Sequence, residues 1–488
     1  MHTLTNIATS VLAVWPYLLT VTVVVCAVCA ASHAAMYKRD PRAAVGWVGV
    51  IIVFPIAGTL LYYFLGINRI KRKAVRTRSR QLGARVAKAQ VCTQHELRSV
   101  LPAGAAHLMS LNTLVARVTR RPLLDGNLLE PLVNGDAAYP AMLAAIGRAQ
   151  RTLALATYIF DNDAAGRMFV EALAHAVTRG VTVRVLVDAV GARYSRPSIM
   201  RSLRAAGIPA QVFMPSSAPV STQYMNLRNH RKMLIVDGTD GYTGGMNIRF
   251  GNLVQQATKD VVQDLHFRVR GPVVAQLQEA FAEDWLFAAG EALQGDAWYP
   301  ALAPAGAMMA RGIADGPDED FDKLVRVLHG ALACAQRSVQ IVTPYFLPTM
   351  DLISALSTCA LRGVNVEIIL PSQSNLRTVG WAMTAQLWQV LEWGCHVWLT
   401  PPPFDHSKLV LVDDEWCFIG SANWDPRSLR LNFEYNIECY SQTLSVQLRE
   451  IAAAKRATAR PLTLEDADGR PFPVRLRDNL ARLFTPYL

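Results

Sequence analysis

The chain has 488 residues, with 49 Lys+Arg against 38 Asp+Glu and a formal net charge of +11. Hydrophobic residues make up 51% and charged residues 18%, below the roughly 25% charged residues of an average soluble domain. These values exclude a disordered chain, a nucleic-acid tail and a fibre, and the length suits two or three domains.

Two apolar segments open the chain, at residues 9–31 and 43–67. No Lys, Arg, Asp or Glu precedes Lys38, and none follows Arg42 until Arg69. Each segment exceeds the roughly 20 apolar residues needed to cross a bilayer. Trp15, Tyr17, Tyr37, Trp47, Tyr62 and Tyr63 sit near their ends, as interfacial belts do. Pro16 and Pro55 are tolerable in spanning helices. The first ten residues carry no Lys or Arg, which argues against a signal peptide. Two spanning helices are therefore predicted over residues 1–70. Cys26 and Cys29 lie inside the first segment and read as small apolar fillers. Nowhere does a His/Cys cluster suggest a metal site, and no cofactor is expected. Eight Cys in so long a chain are not a disulfide scaffold.

Residues 71–127 read as a basic linker. Arg69, Lys71, Arg72, Lys73, Arg76, Arg78 and Arg80 come with no acid among them and favour a cytoplasmic position for the chain that follows. Lys38, Arg39 and Arg42, between the apolar segments, pull the other way. The cationic run also suits anionic lipid headgroups.

The remaining chain repeats itself. Residues 152–188 and 338–371 both read strand, helix, Arg-Gly, strand, with Arg179-Gly180 matching Arg362-Gly363. The runs VTVRVLV (181–187) and VNVEIIL (364–370) are the near-continuous aliphatic strands of a sheet covered on both faces. Helices near 165–178 and 350–361 supply the crossovers. The period is far too long for a solenoid, so the repeat means two copies of one α/β domain. They are placed at 128–292 and 319–488, joined by a Gly/Pro/Ala-rich linker at 293–318.

Each copy carries one polar pattern. The first is His230, Lys232 and Asp237, then Gly244-Gly245 and Asn247; the second is His406, Lys408 and Asp413, then Gly420-Ser421 and Asn423. His and Lys two apart at a strand start point to the same face. An imidazole, an ammonium, a close backbone approach at Gly and an Asn amide suit a phosphate group. One isolated pattern of this kind would be an ordinary surface feature; two with the same downstream spacing inside a repeated domain are a site. Asp264 follows the first motif and Glu434 the second, and either is a candidate to accept from the far imidazole nitrogen and fix its tautomer. Asp237 and Asp413 read as braces for the motifs.

These residues resemble the H-x-K-x4-D-x6-G-[SG]-x-N motif of the phospholipase D superfamily, in its two-motif, single-chain form. The resemblance is closer to bacterial cardiolipin synthases, through the pattern Trp47, Pro55, Gly58, Tyr62 and blocks such as HRKMLIVDG, TGGMNI, DLHFRVRGP, VTPYFLP and GSANWDPRSLRLNFEYN. It covers nearly the whole chain. One departure is Val262-Gln263, where Trp-Arg is expected. The resemblance implies two α/β/α sandwich domains about a pseudo-twofold, preceded by a two-helix transmembrane hairpin. It implies a metal-independent reaction through a phosphohistidine, with His230 as nucleophile and His406 as acid/base by analogy. Lys232, Lys408, Asn247 and Asn423 would hold phosphoryl oxygens. The implied substrates are two phosphatidylglycerols, giving cardiolipin and glycerol at a bacterial inner membrane. The membrane and its lipids are the expected partners; no nucleic acid is expected, and no oligomer is required. Hydrolysis or transfer to another alcohol uses the same site chemistry, and a nuclease is the more distant alternative. A Trp-rich helix over 378–398, with Trp381, Trp388, Trp393 and Trp398, is a candidate for membrane contact.

Overall fold

The computed structural model describes residues 2–38, 41–67, 91–214, 227–316 and 322–485. It divides into an N-terminal helical unit and a larger α/β unit. The cationic run at 69–80 lies outside the described residues.

The N-terminal unit contains α1 (His2–Tyr37), α2 (Pro41–Val53) and α3 (Pro55–Leu61), the last continued by a π turn at Tyr62–Gly66. Within α1, Val14–Tyr37 is long and apolar enough to cross a membrane, and it is the one such helix among the described residues. The second apolar segment departs from the single spanning helix expected of it. Pro55 has no N–H to continue a helix, and Phe54 leaves helical geometry at φ −127° and ψ 75°, so the segment breaks into two short helices. Ala27, Ala30, Ala31 and Ala34, all on one face of α1, pack with Trp47, Val48, Ile51 and Tyr62.

Among the described residues, the larger unit is built on one 15-stranded sheet. Its first half contributes β1 (Leu124–Val133), β2 (Thr152–Thr157), β3 (Thr182–Asp188), β4 (Ala210–Phe213), β5 (Met233–Val236), β6 (Asp240–Gly244) and β8 (Leu265–Arg270). The second contributes β9 (Met308–Asp315), β10 (Ser338–Val342), β11 (Asn365–Pro371), β12 (His396–Thr400), β14 (Leu409–Val412), β15 (Trp416–Gly420), β16 (Glu434–Tyr440) and β17 (Arg460–Leu462). The order β4-β3-β2-β5-β6-β8-β1 meets its mirror, β9-β16-β15-β14-β10-β11-β12, with β17 added at the far edge. The halves join where β1 pairs antiparallel with β9. A separate two-stranded parallel ladder, β7 (Val262–Gln263) with β13 (Phe404–Asp405), ties them again.

β2–β4 and β10–β12 are parallel, so each needs crossover helices; Ala164–Thr178 and Met350–Leu361 supply the first in each half. β2 and β5 are buried along their whole length, which explains their unbroken aliphatic runs.

Both expected linkers carry structure. In 293–318, β9 sits at the centre of the sheet, since seven of its eight residues are buried. In 71–127, the helix Leu108–Thr119 buries Leu108, Leu111 and Val115 with Leu324 and Leu328 of the second half. The spacing of those three positions puts them on one helical face. The Trp-rich stretch is two short helices, Arg377–Thr384 and Trp388–Leu391, followed by β12, and not one helix. Trp381 lies under Arg477 and Trp398 under Arg456, whereas Trp388 and Trp393 are exposed.

Candidate active site

His230 and Lys232 immediately precede β5, and His406 and Lys408 precede β14. These are the equivalent strands of the mirrored sheet. Each strand ends at its motif aspartate, Asp237 with φ 51° and Asp413 with φ 52°. Asp tolerates this left-handed turn better than most residues. The Asp237 carboxylate accepts from the amides of Gln150, Arg151 and Thr152. That of Asp413 accepts from Gln336, Arg337 and Ser338, and is 2.7 Å from His107 Nε2. Both aspartates thus anchor the start of a central strand.

The two motifs meet, and their acids cross over. His230 Nδ1 lies 3.1 Å from the Glu434 carboxylate and 3.2 Å from the Ser421 carbonyl. His406 Nδ1 lies 2.7 Å from Asp264. Each acid therefore faces the histidine of the other half, an arrangement that chain order conceals. The β7–β13 ladder fixes one of these pairs, because it ends one residue before Asp264 and one before His406, whose amide donates to Gln263 O at 2.7 Å.

Gly245 and Ser421 occupy equivalent positions with opposite consequences. A Cβ on Gly245 would lie 2.3 Å from Asp264 Oδ1, so any larger residue would push that carboxylate aside. Ser421 instead donates its hydroxyl to Glu434. Asn247 Oδ1 accepts from the Ile159 amide at 3.0 Å, whereas Asn423 Oδ1 is buried without a partner. The lysine ammoniums donate backward, Lys232 to His230 O at 2.7 Å and Lys408 to His406 O.

His230, Asn247, Asp264, His406 and Asn423 line one cavity of about 340 Å³. Tyr158, Tyr345, Arg228, Arg249, Asp425 and Arg427 line it too, and sequence reasoning did not single them out. Arg228 adjoins the first motif and Arg427 lies just past the second, so proximity in sequence was the available signal. Among the described residues, no three His, Cys, Asp or Glu side chains gather as a metal site would require.

The family model described as "Cardiolipin synthase, PLD-like domain" matches residues 142–285 and 328–455, one stretch in each half. The chain belongs to this phospholipase D-like cardiolipin synthase family. A second model, "Phospholipase_D-nuclease N-terminal", matches residues 19–66. The cardiolipin synthase of Geobacillus thermodenitrificans is 30% identical over 456 residues, covering 93% of this chain and 90% of that protein. Cardiolipin synthase A of Pseudomonas fluorescens is 30% identical over 94% of this chain and 95% of its own length. The major cardiolipin synthase of Bacillus subtilis is 29% identical over 92% and 95%. The phosphatidylserine synthase structure from Haemophilus influenzae shares the fold, with a TM-score of 0.60 at 16% identity, over 78% of this chain and all of that one.

The electrostatics of this family member follow from burial. Burial, with Lys408, Lys232 and His230 adding to it, pushes the His406 pKa well below its ordinary value. His230 is lowered by burial too, against the pull of Glu434. Burial raises Asp264 to about 6 although Lys408 opposes it. Burial also works on Glu434, but there His230, Lys232 and the Ser421 hydroxyl outweigh it, and the pKa falls. Lys408 is brought down to about 8, chiefly by burial. Burial thus works against the protonated form of both imidazoles.

Proposed function

We propose that this protein is a membrane-bound cardiolipin synthase that transfers a phosphatidyl group between two phosphatidylglycerols through a phosphohistidine on His230. The observation that carries the reading is the pair of motif histidines on one cavity, each with Nδ1 held by a carboxylate from the opposite half. A fixed Nδ1 leaves Nε2 to react.

In the first step His230 Nε2 attacks phosphorus, the P–O bond to the leaving glycerol breaks, and His406 gives that oxygen a proton. In the second, His406 takes the proton from the headgroup hydroxyl of another phosphatidylglycerol. That oxygen attacks phosphorus and the P–N bond breaks, which releases cardiolipin and restores His230. The anionic phosphodiester, on arrival, favours the protonated imidazole that the empty site disfavours. Lys232, Lys408, Asn247 and Asn423 stabilise the charge that shifts onto the phosphoryl oxygens. One phosphodiester replaces another, so no nucleotide is consumed.

Arg228 and Arg427 support a second phosphatidylglycerol as the acceptor. Both line the cavity, and after burial the largest influence on Arg427 is repulsion from Arg228. Two guanidiniums held near each other suit an acceptor that brings its own phosphate. The α/β unit is assigned to the cytoplasmic face of a bacterial inner membrane, the side of the cationic run at 69–80.

The test is purified protein with phosphatidylglycerol and chelator, without nucleotide, and mass spectrometry of the lipids. Cardiolipin plus glycerol is expected, absent in His406→Ala, and added glycerol should return cardiolipin to phosphatidylglycerol. Phosphatidic acid as the sole product, with every alcohol tried, would reassign the protein as a hydrolase. Arg228→Gln should lower cardiolipin formation about 10-fold while transfer to a small neutral alcohol is spared, the loss expected for one charged hydrogen bond.

A further inference from the structure

We infer that the N-terminal unit crosses the bilayer once, through α1, and that α2 and α3 form a re-entrant hairpin that enters and leaves the lipid on the face where α1 ends. The end of the second apolar segment returns to the end of α1. Lys38, just past α1, donates to the Gly66 carbonyl at 2.6 Å, and His33 Nδ1 is 2.8 Å from the Tyr62 hydroxyl. A straight helix from Pro41 would carry Gly66 about 37 Å away at the standard rise per residue.

The residues at the turn explain the reversal. Pro55 starts a new helix after Phe54 leaves helical geometry. A Cβ on Gly58 would fall 2.4 Å from Val50 O, so the two arms touch there only because the residue is glycine. Trp47 and Tyr62 close the pair from opposite arms, with ring centroids 5.3 Å apart. The four positions that the sequence pattern brought out, Trp47, Pro55, Gly58 and Tyr62, are the four that shape the bend.

Length agrees. The 13 residues of α2 reach about 20 Å, two thirds of a hydrocarbon core of about 30 Å. Val45, Ile52, Val53, Phe54, Ile56 and Leu60 are exposed on this hairpin, an apolar surface that suits the acyl chains of one leaflet.

Charge agrees as well. Two full spans would place Lys38, Arg39 and Arg42 on the face opposite Arg69–Arg80, against the rule that cations stay inside. With a re-entrant hairpin both groups emerge on one face. The other receives an N-terminal segment without Lys or Arg. The arrangement puts the N-terminus outside and the chain after Gly66 in the cytoplasm, and it holds whatever lipid the enzyme makes.

The experiment is labelling of Thr3→Cys, Tyr37→Cys and Ile67→Cys, one at a time in the full chain. Membrane-impermeant maleimide is applied to right-side-out and inverted vesicles, and labelled peptides are identified by mass spectrometry. Thr3→Cys should label only in right-side-out vesicles, and Tyr37→Cys and Ile67→Cys only in inverted ones. Ile67→Cys labelling with Thr3→Cys, opposite to Tyr37→Cys, would establish two full spans and overturn the hairpin. Terminal epitope tags on the otherwise unaltered chain give a second readout by protease protection. Opposite faces support the hairpin, and a shared face rejects it.

Discussion

In the half-site of His230 the partner carboxylate, Glu434, receives hydrogen bonds from Ser421 and Asn432 and is held below the ordinary carboxylate range, burial notwithstanding. In the half-site of His406 the partner, Asp264, lies against Gly245 and takes the Leu265 amide, and burial raises it to about 6. The strand order of the two halves is the same; the proton inventory is not. Under the proposed mechanism, an ionised acid behind His230 suits a ring that carries a positive phosphohistidine. An acid near its own pKa behind His406 suits a ring that passes a proton out and back. Ser421 gives Glu434 a hydroxyl that Gly245 cannot give Asp264, and it adds to the larger pull of His230 and Lys232 on Glu434.

The sharpest way to break this comparison is to remove each histidine. His230→Ala and His406→Ala should each lose about 10⁴-fold in turnover. With a phosphatidyl ester of p-nitrophenol, whose leaving group needs no acid, His406→Ala should still show a burst and a covalent adduct on His230. An adduct on His406 in His230→Ala instead would exchange the roles.

The acids come next. Glu434→Gln should cost about 10³-fold, because the His230 tautomer is no longer enforced. Asp264→Asn should cost about 10²-fold and also alter the pH profile. In the unaltered enzyme activity should fall as pH drops through about 6, where Asp264 takes a proton and stops accepting from His406. The asparagine variant should lack that limb, and kcat measured from pH 5 to 8 decides.

Exchanging the small residues sharpens the comparison. Gly245→Ser should lower activity about 10²-fold by pushing Asp264 off His406, since displacements near 1 Å have that effect. Ser421→Ala should cost only about 10-fold. Equal losses would mean that the two positions are interchangeable after all.

The smallest effect concerns stability. Burial tends to raise the Asp413 pKa, but the amides of Ser338 and Arg337 and the His107 ring hold it below the ordinary value. Its contribution is therefore complete above about pH 4 and lost as pH falls further through the lowered value. Asp413→Asn should cost about 2 kcal/mol at pH 7 and approach nothing in acid, read from urea unfolding. Asp237→Asn, without a counterpart of His107, should cost less.

The repeat, the crossover helices and all six His, Lys and Asp motif positions were legible in the sequence because local pattern encodes them. The crossed pairing was not, since it depends on which strands lie at the seam, and a 204-residue separation leaves no periodic trace. β9 was hidden by the Gly and Pro around it, although its own residues are mostly buried. Helix Leu108–Thr119 was hidden by the basic run before it. The break at Phe54 was signalled by Pro55, but the apolar length of the segment outweighed that signal.

The crossed carboxylates also bear on how the protein is made. His230 is synthesised 204 residues before Glu434. Until the second half folds, that imidazole has no acid behind it and no proton donor opposite. Neither half on its own therefore holds a motif histidine together with the carboxylate that fixes its ring.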